Sequence, residues 1–266
     1  MFDLAGLESS LADTIFTGNL HFSALTDSTN NDAMAAARRG APHGSVYFAN
    51  EQRAGRGRGD HAWHSAAGQG LYVSVLLRPP IPAVRLPLLP LVAGLAAADA
   101  IRAVSGLTVD LRWPNDLLIG PRKAGGILVE ANTEGVAVAF AVVGIGINVH
   151  QRTFDPELST PATSLDLEAG RSISRQSLLV SLLESLERET LALADTSAEE
   201  MIPVRVERAS TWVRNRTVEV HGPQASSGVT AGLDKHGFLL VRTDAGTVTV
   251  QTGGIRAAQN QQRDVD

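Results

Sequence analysis

Gly55-Arg56-Gly57-Arg58-Gly59 alternates the smallest residue with the side chain richest in hydrogen-bond donors, and Trp63 follows four positions later. Glycine lets the backbone approach a ligand and turn N–H groups toward it, while guanidinium forks match phosphate or carboxylate oxygens. A flat apolar ring beside an anion site suits a nucleotide. Of the 23 basic side chains only Lys123 and Lys235 are lysine. Lys123, in Pro121-Arg122-Lys123-Ala124-Gly125-Gly126, offers a compact point charge that a broad guanidinium cannot replace at a reacting phosphate. Lys235, in Leu233-Asp234-Lys235-His236-Gly237, reads as an ordinary turn lysine.

Arg112-Trp113-Pro114-Asn115-Asp116 sets two polar side chains on a proline turn. Either alone is explained by Asn or Asp bonding its own backbone. With Arg122 and Lys123 one short hairpin further on, a carboxylate facing these cations can also receive a proton or orient an amine.

Other chemistries fail on their motifs. No G-x-x-x-x-G-K-[ST], G-x-S-x-G or H-E-x-x-H is present, and Gly144-Ile145-Gly146-Ile147-Asn148 lacks the third glycine and helical context of a dinucleotide fingerprint. His61 and His64 lack a third convergent zinc ligand. The absence of cysteine removes thiol nucleophiles, disulfides and thiolate metal sites. A formal charge of -5 gives no field for long nucleic acids, so Arg53, Arg56 and Arg58 read as a local site for a small anion.

The elements that must position these residues follow from periodicity and punctuation. Asp27-Ser28-Thr29-Asn30 before the alanine-rich residues 33–37 predicts a helix stopped by Gly40. Strands are expected at 45–49 and 70–77, so the arginine loop links two strands. Residues 88–104 predict a helix closed by Gly106, and 107–113, 124–130 and 136–149 read as central strands. Residues 174–194 predict an amphipathic helix whose Leu178, Leu179, Leu182, Leu183, Leu186 and Leu191 stripe faces the core. From Thr217 the pattern changes to short alternating runs at 217–220, 229–233, 238–241 and 247–250, a small barrel-like module with a boundary near Arg214. The expected division is 1–213 and 214–266, with a frayed polar tail at 257–266.

With 266 residues, 44% of them hydrophobic and 19% charged, the chain is an ordinary globular protein with one large domain or a main domain and an appendage. Residues 1–11 carry Asp3 and Glu8 and no basic start before an apolar run, so no secretory signal is expected. The apolar stretch 86–101 reads as too short to span a bilayer. A cytoplasmic protein without membrane contact is the expectation.

Taken together and in order, Gln52, Gly55-Arg56-Gly57-Arg58, Trp63, Trp113-Pro114-Asn115-Asp116, residues 122–130 (RKAGGILVE) and Gly144-Ile145-Gly146-Ile147-Asn148 make the chain resemble the biotin protein ligases from about Asp27 onward. The resemblance implies an α+β fold: a class II synthetase-like mixed sheet with helices on one side, and a small SH3-like C-terminal module. It implies activation of biotin with ATP to biotinyl-5′-AMP, release of pyrophosphate, and transfer to one lysine of a biotin carboxyl carrier domain. Ser28, Thr29, Gln52, Gly55, Gly126 and Gly144 would line the biotin head group together with Arg56 and Lys123. Arg56 and Arg58 would neutralise phosphates, and Lys123 would bridge the biotin carboxylate and the α-phosphate. Trp63, Asn115 and Asn148 would contact the nucleotide, and Asp116 would orient or deprotonate the carrier lysine. Mg²⁺ would accompany ATP, with no protein ligands assigned.

Two departures stand out. The family usually continues the loop with another glycine and a basic residue, where this chain has Gly59-Asp60-His61-Ala62. An aspartate there should weaken anion binding and retention of the intermediate. Only about 26 residues precede Asp27, so the resemblance is to the monofunctional ligases without a DNA-binding domain, expected as a monomer or weak homodimer. A lipoate ligase shares the architecture and the adenylate chemistry but needs an apolar slot for a dithiolane ring. A non-catalytic nucleotide-binding regulator would leave Lys123 and Asp116 without a task.

Overall fold

In the computed structural model, which describes residues 2–59, 61–195 and 200–258, the run Gly70–Leu77 forms a strand buried at every position. A strand buried throughout needs cover on both faces of its sheet, and its alternate residues serve two cores. Leu71, Val73, Val75 and Leu77 join the main core, while Leu76 packs with Ala33, Ala37, Phe140 and Val142 on the other side.

The chain begins with helix α1 (Leu4–Ser10), strand β1 (Leu20–Ser23) and helix α2 (Thr29–Arg38), followed by β2 (Ser45–Ala49) and β3 (Gly70–Leu77). Helix α3 (Leu89–Ser105) precedes β4 (Asp110–Arg112), β5 (Asp116–Ile119) and the long hairpin β6 (Arg122–Glu134) and β7 (Ala137–Asn148). These seven strands form one sheet in the order β1-β2-β3-β7-β6-β5-β4, with β1 and β2 parallel and every other neighbour antiparallel. Helices α4 (Leu165–Ala169), α5 (Arg175–Ala194) and α6 (Met201–Arg208) follow. Helix α3 packs along α5 and over the sheet on the main-core face, whereas α2 covers β2, β3 and β7 from the opposite face. The expected single-sided helical cover therefore gains one helix on the other side.

From Arg214 the chain builds a second, wholly antiparallel sheet from β8 (Arg214–His221), β9 (Ser226–Leu233), β10 (Leu239–Thr243), β11 (Gly246–Val250) and β12 (Gly254–Ala257), ordered β11-β10-β9-β8-β12. Val218, Val220, Leu239, Val241 and Ile255 continue the main core without a break. A hydrogen bond from the buried Trp113 Nε1 to the Gly237 carbonyl (3.0 Å) pins this sheet to the turn before β5.

Several expectations are corrected. The run 107–113 is not central: only Asp110–Arg112 forms a strand, and β4 is the sheet edge. Leu191 is exposed, because it lies five residues past Leu186 and so off the buried face, which Thr190 and Leu193 continue. The apolar segment is longer than read: Ala83–Ser105 has the length and composition to cross a bilayer, but most of it is buried as the core helix of the fold. Strands β1, β5 and β12 and helices α1 and α4 are too short to show a period of their own, whereas α6 is amphipathic, with Ile202, Pro203 and Val206 buried, and was missed. Asp60 and positions 259–266 lie outside the described residues.

Gly237 has φ +80, and a Cβ there would stand 2.7 Å from Leu91 Cδ1. Gly237→Ala combines left-handed strain with displacement of the core, and is expected to cost about 1–3 kcal/mol. Urea denaturation monitored by tryptophan fluorescence measures it; an unchanged midpoint would dissociate this turn from stability.

Candidate active site

Strands β6 and β7 carry Gly126, Gly144 and Gly146 on the face that α2 covers, and Gly126 pairs with Gly146 across the ladder. Without side chains at these points the sheet becomes a bare floor. The indole of Trp63 lies on it: a Cβ on Gly146 would come within 2.6 Å of the ring, and one on Gly126 would touch both Trp63 Cζ3 (3.4 Å) and Lys123 Nζ (3.5 Å). Lys123 Nζ is 5.6 Å from the Trp63 ring centroid, within cation–π reach.

A chain of polar side chains borders the floor. Gln52 Nε2 donates to Ser65 Oγ (2.7 Å), which donates to the Trp63 carbonyl (3.2 Å). Gln52 Oε1 accepts from the Thr29 backbone N–H (2.9 Å), at the start of α2. The Thr29 hydroxyl is 2.8 Å from Ser74 Oγ, and Ser74 Oγ donates to Asn30 Oδ1 (2.6 Å). Asn30 Nδ2 donates to Glu130 Oε2 (2.9 Å), which also receives the Arg56 guanidinium. Because a hydroxyl has one hydrogen, Ser74 spends its own on Asn30 Oδ1, and the Thr29 hydroxyl divides its one between Ser74 Oγ and Gln52 Oε1 (3.1 Å). The run ends on a carboxylate. Gly144 sits under it, with its Cα so close to Asn30 that any Cβ would strike Asn30 Oδ1.

The second group is charged. Asp116, at the start of β5, holds Lys123 Nζ with Oδ1 (2.5 Å) and Arg112 with Oδ2 (2.6 Å). Burial alone would raise the Asp116 carboxyl, but the Lys123 ammonium and the Arg112 guanidinium outweigh it and hold it below the ordinary carboxylate value. Arg58 turns toward the second sheet, donating to the Gly253 carbonyl and to Thr252 Oγ1 (3.0 Å) between β11 and β12. Burial lowers its pKa and the Asp116 carboxylate opposes that shift, so the two charges share one field.

Most residues singled out from sequence thus meet on one face: Thr29, Gln52, Arg56 and Gly144 along the polar chain, and Trp63, Asp116, Lys123 and Gly126 around the ammonium. Gly55 packs against the returning strand of its own loop, where a Cβ would overlap the Trp63 carbonyl. Asn148, next on the same face of β7, donates to the Thr163 carbonyl (3.0 Å). Ser28 is the N-cap of α2, buried but without a capping bond. Asn115 is engaged in the fold, its Nδ2 donating to the Ile127 carbonyl (2.7 Å) and its own carbonyl accepting from Ile127 N–H. Asn30, Ser74 and Glu130 were not assigned roles from sequence. Ser74 had a readable signal, a hydroxyl inside an otherwise apolar buried strand, which demands a partner.

Two outcomes follow. Asp116→Asn strips the nearly buried Arg112 of its counter-charge and should destabilise by about 3–5 kcal/mol at pH 7. A depressed carboxylate stabilises above its unfolded pKa of about 4 and loses that contribution as pH falls through the folded value, so wild type and variant should converge in acid denaturation. Equal gaps at pH 7 and pH 3 would contradict the pairing. Gly144→Ala should cost about 1–3 kcal/mol by forcing Asn30 out of the chain, read as a lowered melting temperature.

The family model described as "Biotin/lipoate A/B protein ligase family" matches residues 22–148. The Bacillus spizizenii bifunctional ligase/repressor BirA is 34% identical over 245 residues, 89% of this chain and 73% of that protein. The Mycobacterium tuberculosis biotin--[acetyl-CoA-carboxylase] ligase is 34% identical over 238 residues, 87% and 86% of the two chains. The structure of the Aquifex aeolicus biotin protein ligase in complex with biotin and ATP superposes with a TM-score of 0.77 at 28% identity, covering 91% of this chain and all of that one. At 34% identity over most of both chains, the chain belongs to the biotin/lipoate A/B protein ligase family.

Proposed function

We propose that this chain is a biotin protein ligase that makes biotinyl-5′-AMP from biotin and ATP and passes biotin to a lysine of a biotin carboxyl carrier domain. The observation that carries the reading is the Lys123 ammonium, set over the glycine floor between the Asp116 carboxylate and the Trp63 ring. A positive charge at that point offsets the repulsion between a carboxylate nucleophile and the α-phosphate it attacks. A carboxylate oxygen bonds to the α-phosphorus, the bond to the pyrophosphate oxygen breaks, and pyrophosphate leaves. Arg56 supports phosphate charge by turning part of its donor set from Glu130, and Arg58 does so from its seat on the second sheet.

The polar chain from Gln52 to Asn30 suits the ureido ring of biotin, which needs fixed donors and acceptors in an otherwise apolar slot. A dithiolane ring offers no hydrogen-bond donors or strong acceptors to such a polar border, which favours biotin over lipoate. In the second step the neutral carrier amine attacks the acyl carbon, the acyl C–O bond to phosphate breaks, AMP departs with the bonding electrons, and the amine's proton passes to solvent. A carboxylate held below its usual pKa is a poor proton acceptor, so Asp116 serves by orienting the amine and Lys123 rather than by general-base catalysis. Among the described residues no group of three or more His, Asp or Glu side chains converges as a metal cage; the expected Mg²⁺ would ride on the nucleotide phosphates.

Residues 1–213 are read as the catalytic unit and 214–266 as the appended β-module. Pyrophosphate release from MgATP with biotin, with lipoate and with neither tests the function. A biotin-dependent burst near one equivalent per chain is expected, reduced about 10²-fold or more in Lys123→Ala. Biotin and ATP together should also protect the 55–65 loop from proteolysis. Absence of any biotin-dependent release would refute the assignment.

A further inference from the structure

The arginine loop already holds an anion, and the chain itself supplies it. The Arg56 guanidinium donates through Nη2 to Glu130 Oε2, and among the described residues its side chain has no other hydrogen-bond or ion-pair partner. Arg58, two positions on, spends its guanidinium on neutral acceptors, the Gly253 carbonyl and Thr252 Oγ1. Arg56 is therefore the loop's paired charge.

Glu130 stands where this pairing can be exchanged. It lies on β6 four residues beyond Gly126 and opposite Val142, so it extends the floor on the face that α2 covers. The loop backbone is a short ladder: Arg56 bridges Ala62, the Trp63 N–H donates to the Gly55 carbonyl (2.8 Å), and the Gly57 N–H donates to the His61 carbonyl (2.6 Å). The loop thus spans the floor, with Trp63 over Gly146 and Arg56 on Glu130.

The two carboxylates of the site are held differently. Asp116 is clasped by both Lys123 and Arg112, and its side chain is 16% exposed; Glu130 has Arg56 as its one cation and is 28% exposed. Its second partner is a neutral amide, since Oε2 also accepts from Asn30 Nδ2 (2.9 Å). One oxygen with two donors keeps the amide bond when the guanidinium leaves. A part-exposed pair held by a single cation is worth little and yields to a competing anion of higher charge.

We infer that Glu130 is a positioning residue, a displaceable counter-ion that parks Arg56 in the free site and surrenders it to a nucleotide phosphate. The inference rests on the reading above that the site takes ATP, and it adds a direction: Glu130 opposes phosphate binding while holding Asn30, and with it the polar chain, in place. A triphosphate carries more charge than one carboxylate, and its oxygens match the guanidinium fork. Removing the charge at position 130 while keeping an acceptor there strengthens phosphate binding. A merely structural residue does not give that outcome.

Dissociation constants are measured by calorimetry for inorganic pyrophosphate, for adenosine 5′-(α,β-methylene)triphosphate, whose bridge resists cleavage, and for biotin. The proteins are the wild type, Glu130→Gln, Arg56→Gln and the double variant. Glu130→Gln should bind both phosphate probes about threefold to tenfold more tightly. Its biotin affinity should be unchanged, because the amide oxygen still accepts from Asn30. In the Arg56→Gln background the same change should lose most of that gain. Unchanged or weaker binding of the phosphate probes by Glu130→Gln overturns the inference. An equal gain with and without Arg56 overturns it too, marking long-range repulsion, as does a joint loss of phosphate and biotin binding, marking a packing role. A gain for biotin alone overturns it by assigning Arg56 to the biotin carboxylate. Tighter phosphate binding by Glu130→Gln without biotin-dependent pyrophosphate release in the wild type would support the counter-ion while sinking the ligase reading; release without that gain would do the reverse.

Discussion

An unbroken run of hydrogen bonds from the Trp63 carbonyl through Ser65, Gln52, Thr29, Ser74, Asn30 and Glu130 to Arg56 holds the site together. Each member is wholly or partly desolvated, and leaving one unpaired costs about 1–3 kcal/mol. The run links the arginine loop, the start of α2, the middle of β3 and the far half of β6, four pieces scattered over about one hundred residues. None can shift without breaking a bond to the next. The position of α2 on its own side of the sheet is thereby fixed by polar chemistry as much as by the small apolar cluster of Ala33, Ala37 and Leu76 beneath it.

Charge is arranged on the same principle of mutual constraint. Asp116 neutralises two cations at once, one nearly buried and one reaching over the floor, and this double pairing overrides its desolvation. Arg56 and Arg58, neighbours in an exposed loop by sequence, diverge to opposite supports: a carboxylate on β6 and the backbone between β11 and β12. The C-terminal sheet touches the site through Arg58, and it touches the turn that carries Asp116 through Trp113. It is a structural neighbour of the chemistry, joined through a continuous core.

What could be read from the sequence was whatever local chemistry announces. The alternation of glycine and arginine, the rare lysine at position 123 and the alanine-rich helix behind a polar cap each declare themselves within a few residues. The long apolar strands β3 and β7 do so by composition. Short elements such as β5 and β12 exist only because neighbours supply a ladder, so no periodicity of their own marks them. Glu130 and Asn30 were present in the text but became site residues only when folding set them against each other across one hundred positions. Asn115 carries a fold contact that its motif did not announce: its Nδ2 fastens the turn to β6.

The glycine floor gives the site a one-sided mutational landscape. Gly126, Gly144 and Gly146 are already the smallest residues, so change at these positions can only add matter above the sheet, and at two of the three the added carbon meets a ring or an amide at once. Accommodation of a larger substrate cannot begin there. Any drift toward a bulkier acyl group must start from the walls, with Trp63 and the loop that carries it as the removable mass, while the floor stays as it is through every intermediate step.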